Sequence, residues 1–145
     1  MATEYWRKLY EKPVDAEAEE FFITNFDKSI TDDQRNELKQ SITLEDLYEH
    51  LKEIKKSTTP GSDGTTYETI YIFWDRLGPS LTKVANAIME KGKLPHSMKQ
   101  ILISLIPKKD KVLKTVDNHR PISVINCGLR LICSYFESKL QPIIQ

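Results

Sequence analysis

The chain has 145 residues, 39% of them apolar and 29% charged, with 21 basic and 21 acidic side chains that cancel at neutral pH. That size suits one domain with one core, and the balance describes a soluble globular chain rather than a disordered or fibrous one. No uninterrupted apolar run approaches the roughly twenty residues of a membrane span, and the opening MATEYWRKLYEKP lacks the apolar stretch and small-residue cleavage site of a secretory signal.

Neutrality conceals a segregation of charge. Residues 1–54 hold seven Lys/Arg against fourteen Asp/Glu, whereas residues 91–120 hold eight against two. Such a split suits a basic surface that faces a polyanion, or two parts that pack side by side and neutralise each other. Charge alone leaves both readings open.

Residues 1–30 read as a lead-in or linker. Tyr5, Trp6, Leu9 and Tyr10 form a short helical stripe ended by Pro13, DAEAEE follows as a solvated acidic run, and FFITNF is apolar enough to dock on something. From residue 31 the punctuation sharpens. Thr31 before two aspartates starts one helix and Thr43 another, with Leu44, Leu47, Tyr48, Leu51 and Ile54 at helical spacing. The loop KKSTTPGSDGTT follows. Thr65 and Glu68 have capping-box spacing and open a helix carrying Ile70, Tyr71, Phe73, Trp74 and Leu77. Leu77-Gly78-Pro79 is expected to end it, Ser80 to cap the next, and Gly92 to close that one.

After LPHS the texture changes. KQILISLIPK is short, apolar and β-branched, the pattern of a strand buried on both faces or of the core strand of a hairpin, ended at Pro107. KKDKVLKTVDNH is a polar connection, RPISVI a second extended segment, and CGLRLICSYFESKLQPII a closing helix with Leu129, Ile132, Cys133, Phe136 and Leu140 on one side. The expected fold class is α+β, mostly helical with a small antiparallel β element. Cys127 and Cys133 fit neither a disulfide framework nor a metal site, and are expected as buried thiols in a reducing compartment, nucleus or cytoplasm.

Two motifs carry chemistry. In GSDG, Gly61 and Gly64 flank Ser62 and Asp63; such a loop approaches a phosphate backbone closely, but it is also an ordinary turn. Lys108 and Arg120 end two extended segments joined by a hairpin-length connection, so their side chains emerge near one another. A lysine point charge and an arginine fork suit a triphosphate or two adjacent backbone phosphates. A solvated hairpin tip is the competing reading, with Lys109, Lys111 and Lys114 as its decoration. His50, His96 and His119 lack partners at catalytic or ligand spacing and are expected on the surface or in loops, while Tyr71 and Trp74 sit at core spacing.

The ordered blocks STTPGSDGTT, FWDRLGPSL, EKGKLPHSM, ISLIPKKD, NHRPISVIN and LRLICSYFESKL resemble the front part of a LINE-type (non-LTR) retrotransposon reverse transcriptase, over roughly residues 30–143. The resemblance implies a partial reverse transcriptase domain over 31–145: the fingers of a right-hand polymerase, without the palm. It implies that Arg120 contacts the triphosphate of the incoming nucleotide, that Lys108 lies in the same basic surface, and that the loop of Gly61, Asp63 and Gly64, preceded by Lys55 and Lys56, lies near the template strand. The implied partners are an RNA or DNA template-primer and a deoxynucleotide, with the missing palm or a self-associating copy, and no membrane. The family departs here at Ser134, where it often has lysine, and at Lys139, where it often has arginine. Its paired metal-binding aspartates belong to later blocks, so no cofactor is expected for these residues and Mg²⁺ only for a complete RNA-directed DNA polymerase. A protein-interaction module and a non-functional coding remnant are the alternatives.

Overall fold

The computed structural model describes all residues except Met1, 12–14, 25–28, Lys56, 110–114 and Gln145. In chain order the elements are α1 (Ala2–Tyr10), α2 (Ala16–Thr24), α3 (Asp32–Leu38), α4 (Leu44–Glu53), α5 (Tyr67–Ile72), α6 (Trp74–Lys91), β1 (Leu102–Pro107), β2 (His119–Val124) and α7 (Cys127–Ile144). Short 3-10 turns at His96–Lys99 and Val116–Asn118 precede the two strands. The fold is α+β: mostly helical, with β1 and β2 paired as a two-stranded antiparallel ribbon. The chain divides into two compact units. Residues 1–30 with 105–122 make the smaller, and residues 31–104 with 123–145 the larger.

The larger unit is a helical cluster built on local signals. Thr31 and Thr43 each head a full capping box: the threonine hydroxyl accepts the amide three residues on, and Gln34 or Asp46 accepts the threonine amide in return. These reciprocal bonds satisfy amides that a helix start leaves orphaned. The core joins Ile42, Leu47 and Leu51 to Tyr67, Ile70 and Trp74, and to Cys127, Leu131, Ile132 and Tyr135. Tyr48 stacks between Tyr71 and Trp74, with ring centroids at 6.0 and 5.4 Å. Asn86 fixes the entry to α4 from the middle of α6. Its side-chain amide accepts from Ile42 N at 2.9 Å and donates to Ile42 O at 2.8 Å.

Several expected boundaries shift, each for a local reason. Thr66, not Thr65, caps α5 by accepting from Thr69 N, and Glu68 instead accepts the Ser57 amide at 2.7 Å. LGPS does not interrupt the helix. Gly78 lies under the Trp74 indole, where a Cβ would come within 2.6 Å of the ring, so this glycine is needed for packing one turn along. Pro79 forgoes one intrahelical bond. The break falls at Phe73 (φ −101°, ψ 27°), which ends α5 and starts α6. Gly92 closes α6 in the left-handed region, at φ 60°. The acidic run 16–20 is helical, as the start of α2.

Two burial expectations are overturned. β1 is exposed along its whole length, not buried on two faces. On α7 the buried side is Cys127, Leu129, Leu131, Ile132 and Tyr135, which leaves Cys133 exposed and only Cys127 as a buried thiol.

Candidate functional site

In the smaller unit the two cations singled out from the sequence lie at the end of the ribbon where the connection joins β1 to β2. The Lys108 amide donates to the Asn118 carbonyl at 2.8 Å. With strand residues alternating between faces, that register sets Ile106 opposite Arg120 and puts Lys108 and Arg120 on the same face as diagonal neighbours. The structure thus brings together the two cations singled out from the sequence.

Their situations differ. Lys108 is half-buried, and its ammonium donates to the Asp117 carbonyl at 2.6 Å, which helps hold the connection that it belongs to. The Thr115 hydroxyl, the Asp117 amide and the charges of Lys108 and His119 hold the Asp117 carboxyl below its usual range. Asp117 therefore stays anionic beside Lys108 and offsets part of its charge. Arg120 is exposed, and among the described residues no hydrogen bond or ion pair engages its guanidinium. His119 places Nδ1 3.0 Å from the Thr115 carbonyl; a carbonyl only accepts, so that nitrogen carries the proton. Lys109 is exposed, while Lys111 and Lys114 lie outside the described residues.

Helix α1 gives a place to the aromatic stripe noted in the sequence, which was assigned no role there. It packs beside the Val116–Asn118 turn of the same unit. Tyr5 meets the Trp6 ring edge-on at 5.0 Å, and Tyr10 stacks on it at 6.3 Å with 74% of its own surface exposed. The Trp6 Nε1 is buried, with no partner among the described residues. Exposed aromatic faces are surfaces on which bases can stack. The i, i+1, i+5 spacing of these rings was visible in the sequence, but their position beside the Val116–Asn118 turn was not.

In the larger unit the GSDG loop is a tight turn docked on the start of α7. Gly64 N donates to Gly61 O at 3.2 Å, Gly64 takes φ 69°, and Asp63 Oδ1 accepts Thr65 N at 3.0 Å. Gly61 is buried against Asn126: a Cβ there would collide with the Asn126 side chain and lie 2.6 Å from its N and Cα. Ser62 Oγ donates to Asn126 Oδ1 at 3.3 Å, and Arg130 reaches the Ile125 carbonyl at 3.1 Å. Gly61, Asp63 and Gly64 therefore build the turn itself. Lys55 is exposed ahead of the loop, and Lys56 lies outside the described residues.

His50 departs from the surface position expected of it. It is half-buried between α4 and α7, with Nε2 2.8 Å from Ser134 Oγ and its ring edge-on to Tyr135. Because Ser134 Oγ donates to the Leu131 carbonyl, His50 is the donor in this pair. Burial lowers the His50 pKa, opposed by the charge of Glu53. A serine that donates away from its histidine is not a primed nucleophile, so the pair is a helix tie. A cleft of about 660 Å³ in the same unit is lined by Ile42, Met89, Tyr135 and Phe136, with Asp46 and Lys139 at its rim. Among the described residues no three His, Cys, Asp or Glu gather as a metal site, and no helix is long and apolar enough to cross a membrane.

No protein-family model matches the chain. It is 30% identical over 115 residues to the "Transposon TX1 uncharacterized 149 kDa protein" of Xenopus laevis, a match that takes in 79% of this chain and 9% of that protein. It is 27% identical over 85 residues to the "RNA-directed DNA polymerase from mobile element jockey" of Drosophila melanogaster, covering 59% of this chain and 9% of that protein. The chain thus spans about a tenth of the length of these curated relatives.

Proposed function

We propose, for a chain that belongs with the LINE-type non-LTR retrotransposon proteins, that it forms the template- and nucleotide-binding fingers region of a reverse transcriptase and is not catalytic alone. The observation that carries this reading is the convergence of Lys108 and Arg120 on one ribbon face, with Arg120 exposed and an aromatic cluster on α1 in the same unit. Each group has a distinct task. Arg120 grips phosphate oxygens with its planar fork. Lys108 serves mainly to shape the connection and to add positive potential. Tyr10 offers a face to an unpaired base.

Transfer of a nucleotide would need carboxylates around two Mg²⁺ ions. The described residues do not fit that requirement, so no step through a metal is assigned to them. The role left to these residues is to hold and orient nucleic acid.

Binding of a labelled template-primer, followed by fluorescence anisotropy, tests the reading. Affinity should fall steeply between 50 and 200 mM salt, as counterion release requires. Arg120→Ala should weaken binding by about tenfold, the scale of one charge-assisted hydrogen bond, and Lys108→Ala by less. Equal affinity for wild type and Arg120→Ala would remove the assignment. A second reading, an interaction module, is favoured by the exposed apolar strand β1; association of that kind would not weaken with salt.

A further inference from the structure

The basic window of residues 91–120 is divided by the fold. Its cations from Lys108 to Arg120 belong to the smaller unit, whereas Lys91, Lys93 and Lys99 belong to the larger one. The Arg120 site therefore leaves these three lysines without a role. They sit on an anchored stretch of backbone. Gly92 ends α6 in the left-handed region, and its amide donates to the Ile88 carbonyl at 2.9 Å. Beyond Pro95, the His96–Lys99 turn is closed by Met98 N donating to Pro95 O at 3.0 Å, and the Met98 side chain packs against the core. Residues three apart in a 3-10 turn share a face, so Lys99 stands beside His96, and Lys91, Lys93, His96 and Lys99 are all exposed. Their charge stands without local acid. No Asp or Glu occurs between Glu90 and Asp110, and among the described residues none of the three lysines is in an ion pair. Lys91, in the last turn of α6, complements the helix dipole. Lys93 and Lys99 lie beyond the helix, where that reason does not reach.

We infer that Lys91, Lys93 and Lys99 form a second nucleic-acid surface, on a different unit from Arg120, which holds the phosphate backbone of a paired helix. This rests on the nucleic-acid-binding role proposed above and adds the form of the partner to it. The choice of a duplex follows from what the stretch lacks. Surfaces for unpaired strands interleave cations with aromatic rings on which bases stack, and residues 75–134 contain no Phe, Tyr or Trp. A duplex hides its bases and presents its phosphates, which lysines meet as mobile point charges without reading sequence. A bilayer is the other extended polyanion. Segments that lie on membranes add a broad apolar face to their cations, whereas Leu94 is the one large apolar residue exposed between Lys91 and Lys99.

The test is fluorescence anisotropy of the 145-residue chain with a short blunt DNA duplex, which has no unpaired base, between about 50 and 200 mM salt. Each phosphate neutralised on duplex DNA adds about 0.9 to the slope of log affinity against log salt. Replacing all three residues (Lys91→Gln, Lys93→Gln and Lys99→Gln) should make the slope shallower by about 2.7, so that across this range wild type loses about fortyfold more affinity than the variant. Replacing the same three with arginine keeps the charge and should keep the slope. Circular dichroism should match wild type for both. Lys93→Gln alone should remove about 0.9 of the slope and covers the case in which the triple variant fails to fold. An unchanged slope for the glutamine variants overturns the proposal. So does a loss of slope confined to a single-stranded oligonucleotide, or a loss of binding to phosphatidylserine vesicles with duplex binding intact. Arg120→Ala on the template-primer judges the other site, and either result there leaves the lysine slope to stand or fall by itself.

Discussion

Replacing Gly61 with alanine tests the docking of the GSDG loop most sharply. The added Cβ would lie 2.6 Å from both N and Cα of Asn126 and would collide with its side chain. Overpacking by a methyl costs about 1–3 kcal/mol. Here the obstructing atoms are backbone and cannot swing aside; the Asn126 carbonyl is tied into the first turn of α7 by the Arg130 amide at 3.0 Å. The cost should therefore sit near the top of that range, about 3 kcal/mol. At a urea slope of about 2 kcal/mol per M, the unfolding midpoint should drop by about 1.5 M with the slope unchanged. Gly64→Ala is the matched control. Its φ is 69° but nothing lies within 4 Å of its new Cβ, so only backbone strain of about 1–2 kcal/mol remains. If Gly61→Ala costs less than Gly64→Ala, the docking argument fails.

Other expectations follow from the same geometry. Thr43→Ala and Thr31→Ala each remove a capping box and should cost about 1 kcal/mol by urea denaturation, with Thr43 the more damaging because α4 carries Leu47 and Leu51 of the core. Gly78→Ala should destabilise by about 1–3 kcal/mol, since Trp74 must leave its seat; a fluorescence shift of the indole would report it. Burial lowers the His50 pKa from 6.5, so the folded state resists a proton that the unfolded chain accepts. Stability from this site is complete above pH 6.5 and declines as pH falls through that value towards the folded pKa. His50→Gln should flatten stability between pH 7 and 5, and an unchanged slope would show that the ring is freely solvated.

Legibility in the sequence followed the range of the interactions involved. Helix starts at Thr31 and Thr43 and the stop at Gly92 were readable because caps are settled within four residues. The helix through Gly78-Pro79 was not, because a glycine and a proline look like punctuation until Trp74 is known to pack over residue 78. The strand content of ISLIPK was legible from its branched apolar run, whereas its exposure was not, since the same run serves a buried or an open ribbon. Lys108 and Arg120 could be paired from the hairpin pattern alone. That Lys108 is engaged by Asp117 and Arg120 is not depends on the course of the connection, which composition does not encode. Likewise, His50 and Ser134 are 84 residues apart, and no local spacing announces their contact.

The Asn86 amide has a consequence for how the larger unit opens. It occupies both the donor and the acceptor of Ile42, 44 residues away, as a neighbouring strand would. The Ile42 amide can meet solvent only when α6 and the start of α4 part, so fraying of either helix alone does not release it. Its deuterium exchange should be among the slowest in the chain and should track global unfolding. One amide proton then serves as a clock for the cooperativity of the whole helical cluster.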